Sequence, residues 1–267
     1  MENIVKNIMD KISPAWGVCD AAVLANHMLP CGSANKIPDG AAAILVALFP
    51  YYLGEEQYGR LNVSRYAAVP DYHEVIIKRL DSAVQALERE FPAEHFAAFT
   101  DNSPVPEVRT AANAGLGVVG ENNLLINPVY GSWVFIGEIV TTLKMQAYQP
   151  AGVHNCKGCG KCFAACPTRE LGRLRFDKTH CLSHINQSKD EPTNEQAKQM
   201  RASGCAWGCD ICQLVCPENN SAQITPIEEF KADVRAHVSA GDDITGRAYA
   251  WRGRAVIERN LKIVEQM

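Results

Sequence analysis

The 267-residue sequence has no apolar run approaching the ~18 residues that a membrane-spanning helix needs, so no helical span is expected. It carries no twin-arginine export signal, and its first residues do not read as a signal peptide. A cytoplasmic protein without a membrane partner is the expectation. Excess positive charge is also missing: 26 Lys and Arg stand against 30 Asp and Glu, a formal net charge of -4. No global electrostatic pull toward nucleic acid follows, and such a partner would need a local basic patch. There are no internal repeats and no low-complexity tract.

Cysteine, by contrast, is abundant. Eleven are present, and nine of them lie between Cys156 and Cys216. In a reducing cytosol disulfides would be opened, so metal binding is the better reading of this crowding. Cys156-x2-Cys159-x2-Cys162-x3-Cys166-Pro167 is the bacterial ferredoxin run, in which three thiolates hold one iron–sulfur cubane and the fourth reaches to the other. A second half follows as Cys209-x2-Cys212-x3-Cys216-Pro217. The pseudo-symmetry assigns Cys156, Cys159, Cys162 and Cys216 to one [4Fe–4S] cluster. Cys166, Cys209 and Cys212 take the other with one more thiolate, either Cys181 or Cys205, and spacing does not choose between them. Structural zinc sites are the competing reading, but zinc has no need of this run twice. Cys19 and Cys31, isolated near the N-terminus, read as small buried side chains and not as ligands.

The first 150 residues read as an α/β layer. Met1–Ile12 has Ile4, Ile8 and Ile12 at helical spacing. The apolar run 42–49, ended by Pro50, suits a buried strand. Val75, Ile76, Leu80, Val84 and Leu87 predict an amphipathic helix over 72–91, and 95–100 and 133–140 look like further strands. Gln149-Pro150-Ala151-Gly152 marks the expected boundary. The expected division is a catalytic domain over 1–150, a ferredoxin-like domain over 151–222 and a helical tail over 223–267. The tail predicts helices around 226–238 and 247–264. The second carries Arg247, Arg252, Arg254, Arg259 and Lys262, a solvated face or, alternatively, a phosphate-binding surface.

Two cubanes relay single electrons but do not break substrate bonds themselves, so the chemistry is expected in residues 1–150. Three stretches with polar side chains stand out there, the last also carrying three glycines: Ser64 to His73, Asp101 to Glu107 and Ala114 to Asn123. Gly115-x-Gly117-x-x-Gly120 matches a dinucleotide fingerprint in letters only, since no strand clearly precedes it and Asn-Asn-Leu-Leu-Ile follows it instead of a helix. In Asp71-Tyr72-His73 the residues suit helix capping and packing.

Taken in order with the cysteines, these stretches resemble the epoxyqueuosine reductase family over roughly residues 40–220. The resemblance rests on Tyr66-Ala67, Asp71-Tyr72-His73, Asp101 to Glu107, Ala114 to Asn122, Tyr130-Gly131-Ser132, Cys181-Leu182-Ser183 and Gly208 to Pro217. It implies a nitroreductase-like corrinoid-binding domain, related to that of reductive dehalogenases, followed by the two-cluster domain. The implied cofactors are cobalamin and two [4Fe–4S] clusters. The implied partners are tRNA and a low-potential electron donor. By the same resemblance Cys181 rather than Cys205 completes the second cluster. Asp101 takes the position of the proton donor, and Ser64, Tyr66, Asn122, Ser132, Ser183 and Asp210 fall, with Asp101, in stretches that line the corrinoid pocket.

Turning an epoxide into an alkene consumes two electrons and two protons and releases water. It therefore needs a reductant relay and a placed acid, and a carboxyl acts as acid at neutral pH only where burial beside an apolar cofactor raises its pKa. The chain departs from the family in having Glu121 where lysine is usual. Long members carry helical repeats after the clusters, and the 51 residues beyond Cys216 hold at most about one such repeat, so a short form is expected. The alternatives are a different corrinoid-dependent reductase and a non-enzymatic iron–sulfur electron-transfer protein.

Overall fold

The computed structural model describes residues 1–149, 156–172 and 176–266, the side chain of Asn26 excepted. Residues 150–152 of the expected boundary lie outside the described residues. The chain forms two compact units, one of Met1–Pro50 with His73–Cys156 and one of Tyr51–Tyr72 with Lys157–Met267. Residues 51–72, expected with the N-terminal domain, thus group with the cysteine-rich part.

The first unit is built on an antiparallel four-stranded sheet. Its strands are β1 (Ala15–Asp20), β2 (Ala43–Pro50), β3 (Phe96–Phe99) and, after the small ribbon of β4 (Val118–Val119) and β5 (Leu125–Ile126), β6 (Val134–Thr141). The order in the sheet is β1-β2-β6-β3. All eight residues of β2 are buried, which is why its sequence is apolar without alternation. Ile44, Val46 and Leu48 join a core with Ala111 and Ala114 of the segment that follows Asp101. On the other face, helix Tyr72–Glu90 buries Ile76, Leu80, Ala83 and Leu87 at helical spacing. Gly17 of β1 is required by a close approach: a Cβ there would stand 2.2 Å from the Ala114 carbonyl oxygen.

The expected strands and the long helix are present within a residue or two. The N-terminal helix, Glu2–Ile12, buries Val5, Met9 and Ile12, whereas Ile4 is exposed. Its buried stripe is rotated by one residue from the one read in the sequence, because Val5 and Met9 complete an i, i+4, i+7 row with Ile12.

In the second unit the 51–72 segment is tied in by backbone pairing. The Ser64 N–H donates to the Trp207 carbonyl at 2.8 Å and the Ala206 N–H to the Asn62 carbonyl at 2.7 Å. The buried Asn62 amide donates to the Val238 carbonyl and accepts the Val238 N–H. Helix Asn194–Ser203 opens with a Thr193/Gln196 capping box and ends at left-handed Gly204.

In the C-terminal part the helix expected around 226–238 reduces to Glu228–Lys231, and the last helix runs Arg254–Glu265. The Arg235 N–H donates to the Ala68 carbonyl, the Ala236 carbonyl accepts from Asn62, and Val238 pairs with the Asn62 side chain. Tertiary hydrogen bonds claim the backbone groups a longer helix would have used. Arg247, read as a surface charge, is buried and bonds the carbonyls of Ala68 and Asp233. No helix among the described residues is long and apolar enough to cross a membrane.

Candidate functional site

In the first unit the candidate acid sits on a strained turn. Asp101 and Asn102 have φ of 48° and 35°, consecutive left-handed residues that cost about 1–3 kcal/mol each. Their surroundings hold them there. The Asn102 carbonyl accepts from the Cys31 thiol at 2.7 Å and the Ser33 hydroxyl at 3.1 Å, and the Pro104 carbonyl accepts the Leu29 N–H at 2.8 Å. Cys31 is thus a clamp on the Asp101 turn. It is half-buried, so the expectation of a small buried side chain holds for Cys19 and not for Cys31. His73 Nε2 lies 2.9 Å from Asp101 Oδ2. His73, expected to cap and pack at the start of its helix, thus also meets the candidate acid.

Two carboxyls interact with Asp101 directly or in turn: Glu107, which ends the stretch singled out in the sequence without a role assigned to it, and Glu138, which sequence reasoning missed. Glu107 begins helix Glu107–Asn113 and accepts the backbone N–H of Asp101. Its stem is partly exposed, but its Oε1 is buried without a hydrogen-bond partner. Burial first, and then the Asp101 charge, push its pKa up to about 7, against the pull of the Asp101 N–H and His73. Glu138, in the middle of β6, is fully buried with neither oxygen partnered. Burial, with Glu107 second, raises its pKa well above the ordinary value. A lone Glu in an otherwise apolar central strand was the signal in the sequence.

Also in this unit, Asn122 is buried with its Nδ2 unpartnered, and Ser132 is buried. The Glu121 N–H donates to Cys156 Sγ at 3.4 Å, the type of bond that tunes an iron–sulfur ligand.

The second unit gathers Ser64, Tyr66, Ser183 and Asp210. Asp210 Oδ2 accepts the Arg65 N–H at 2.7 Å and lies 3.4 Å from Arg65 Nη1, while Oδ1 has no partner. Burial pushes the Asp210 carboxyl up to about 6, and Arg65 opposes that rise. Ser64 Oγ is likewise buried and unpartnered. Gly208, at φ +77°, lets the chain pass beside it, because a Cβ would stand 2.0 Å from Ser64 Oγ. The buried Asn186 amide holds Gly208 at both its N–H and its carbonyl. Ser183 accepts from Gln187 at 3.0 Å, and Tyr66 meets Tyr72 edge-on.

The thiols of this unit are electrostatic neighbours. Burial, and then Cys209 and Cys181, push Cys212 up to about 12. Cys209 is pushed to about 12 by burial, with Cys181 and Cys166 adding to it. Cys181 is raised by burial and by Cys166. Cys166 is lowered despite its burial, because the N–H groups of Leu171, Thr168 and Glu170 and the Thr168 hydroxyl stabilise its thiolate. Crowded thiols that resist ionisation together fit a multinuclear cation, which reverses that balance. Cys205 also feels Cys209, but its thiol donates to the Trp207 carbonyl at 3.1 Å. Two of the C-terminal arginines are also engaged within the chain. Arg259 bonds the carbonyls of Ser188, Lys189 and Asp190, and Arg254 that of Asp242.

Residues 155–219 match a 4Fe-4S double cluster binding domain, and residues 33–102 match the model described as Epoxyqueuosine reductase QueG, DUF1730. An epoxyqueuosine reductase of Leadbetterella byssophila is 36% identical over 78% of this chain and 69% of its own length. This chain belongs to the epoxyqueuosine reductase family. The Lactococcus garvieae epoxyqueuosine reductase is 32% identical over 77% of this chain, and the match spans 61% of that relative. A crystal structure of an epoxyqueuosine reductase with an epoxyqueuosine-modified tRNA stem loop superposes with a TM-score of 0.79, covering 98% of this chain and 80% of that one. At 21% identity this likeness shows a shared epoxyqueuosine reductase fold.

Proposed function

We propose that this chain reduces epoxyqueuosine in tRNA to queuosine, using a corrinoid and two [4Fe–4S] clusters. The observation that carries the reading is the pair of buried, unpartnered polar atoms Ser64 Oγ and Asp210 Oδ1 of the second unit, on residues expected to meet the corrinoid. Buried polar atoms are normally satisfied, so each of these calls for a partner. The amide-bearing rim of a corrinoid offers both donors and acceptors to them. Tyr66, Asn122, Ser132 and Ser183 are expected to meet it as well, and Cys156, Cys159, Cys162 and Cys216, then Cys166, Cys181, Cys209 and Cys212, are the proposed cluster ligands. The orientation of Cys205 toward Trp207 and the mutual influence of Cys181 with Cys166, Cys209 and Cys212 support that choice.

A bound corrinoid would supply a strongly reducing, nucleophilic cobalt. Around it the chain's own groups position and protonate. Asp101 gives a proton to the epoxide oxygen as its C–O bond opens, and His73 orients the Asp101 carboxyl from 2.9 Å. The clamps on Asn102 and Pro104 keep that carboxyl on its turn.

The test is anaerobic reconstitution with cobalamin and a chemical reductant, followed by incubation with epoxyqueuosine-containing tRNA and mass spectrometry of the nucleosides. Queuosine should accumulate, and Asp101→Asn should slow it by about two orders of magnitude or more. Intact epoxyqueuosine, with both clusters and cobalamin bound, would defeat the reading.

A further inference from the structure

Reduction of an epoxide to an alkene takes up two protons with two electrons, and a single Asp101 carboxyl carries one. Beside the Asp101 turn the first unit buries two carboxyls for which the fold has no use. Glu138 stands in β6 opposite Val46 of β2 and Phe99 of β3, where an apolar side chain would serve the sheet better. It is fully buried, and both of its oxygens lack a hydrogen-bond partner. Glu107 takes the Asp101 N–H on its carboxyl and buries its unpartnered Oε1. Asp101, His73 and Glu138 are the titratable groups that interact with Glu107, so the four form one electrostatic row. The row runs from part-exposed side chains, His73 at 35% and Asp101 at 56%, to Glu138 at 0%.

We propose that Glu107 and Glu138 together store a proton that recharges Asp101 while bound substrate shuts it off from water. This inference rests on the epoxide-reducing function proposed above. Asp101 first protonates the epoxide oxygen as one C–O bond opens, and Glu107 then returns a proton to Asp101. Glu138 replaces the proton on Glu107. The recharged Asp101 protonates the resulting hydroxyl, which leaves as water as the alkene forms. Two electrons arrive through the clusters, and the two protons come from this row. After product release His73, part-exposed, opens the row to solvent. Burial raises Glu138 well above the ordinary glutamate range and brings Glu107 up to about 7, so both carboxyls hold a proton more tightly than a solvated glutamate.

The test uses the full cluster-loaded chain and the near-isosteric variants Glu107→Gln and Glu138→Gln. Infrared spectra of 13C-glutamate-labelled protein report protonated carboxyl groups without any turnover. The wild type should show a protonated-carboxyl band that persists at neutral pH and a second component that titrates near about pH 7. Glu138→Gln should lose the persistent band. Glu107→Gln should lose the titrating component and move the Glu138 band to lower pH, since the charge that raises it is gone. In turnover each variant should lose about tenfold in kcat with KM unchanged and should shift the alkaline limb of the pH profile. A wild type with no protonated carboxyl at neutral pH would overturn the proposal. So would pH profiles of both variants that superimpose on the wild type, since a merely structural pair would leave them unmoved. If no form turns over epoxyqueuosine, the functional reading fails, while the infrared bands still decide whether the pair holds a proton.

Discussion

Replacing Cys181 by alanine should remove one of the two iron–sulfur clusters and leave the other. Cys181 raises both Cys209 and Cys212 and is itself raised by Cys166, so these four thiols share one electrostatic neighbourhood. Two cubanes hold about eight iron atoms, so loss of the one that Cys181 completes should leave about four and halve the visible absorbance. Cys205 gives the opposite expectation. Its thiol donates to the Trp207 carbonyl, and Cys205→Ala should forfeit that single bond, about 1 kcal/mol, with iron staying at about eight. The assay is iron analysis of anaerobically prepared protein, with electron paramagnetic resonance of the dithionite-reduced sample to count the clusters. Alanine is the right replacement because a serine oxygen can still ligate. About four irons in Cys205→Ala together with about eight in Cys181→Ala would refute the assignment, because the thiol facing Trp207 would then be the ligand.

Gly208→Ala should cost about 2–5 kcal/mol, from its left-handed backbone and from a Cβ built 2.0 Å from Ser64 Oγ, read as a lower urea midpoint. An unchanged midpoint would mean that the Ser64 approach is not as close as described. Asp210 links stability to pH. Its folded carboxyl is raised from 3.8 to about 6, chiefly by burial, so the folded state binds the proton more tightly than the unfolded chain. Stability should therefore fall as pH rises from about 4 to about 6, by up to about 3 kcal/mol, and stay level above that. The difference between wild type and Asp210→Asn should carry this slope, and a difference independent of pH would contradict it.

Much of the architecture could be read directly. The uninterrupted apolar stretch that became β2 announces a strand covered on both faces, and the spacing of Ile76, Leu80 and Leu87 announces the helix on one of them. Cluster chemistry is equally local, since ligand spacing along a short run sets which thiolates can wrap a cubane. The N-terminal stripe was misread by one residue because Ile4, Ile8 and Ile12 satisfy the same helical period as the row that is buried. The expected helix over 226–238 failed because its backbone groups found partners at Asn62 and Ala68, far away in sequence.

Residue types and their spacing along the chain determined the two cysteine runs, the main strands and the long helix, because each depends on neighbours within a few residues. The tertiary structure alone decided that residues 51–72 join the cysteine-rich unit, that Cys31 and Leu29 clamp the Asp101 turn, and that Glu107, Glu138 and His73 align with Asp101. Apart from the nearby Asp101 and Glu107, those relations join segments tens of residues apart, and a carboxyl's burial, and with it its hold on a proton, exists only once the chain has closed around it.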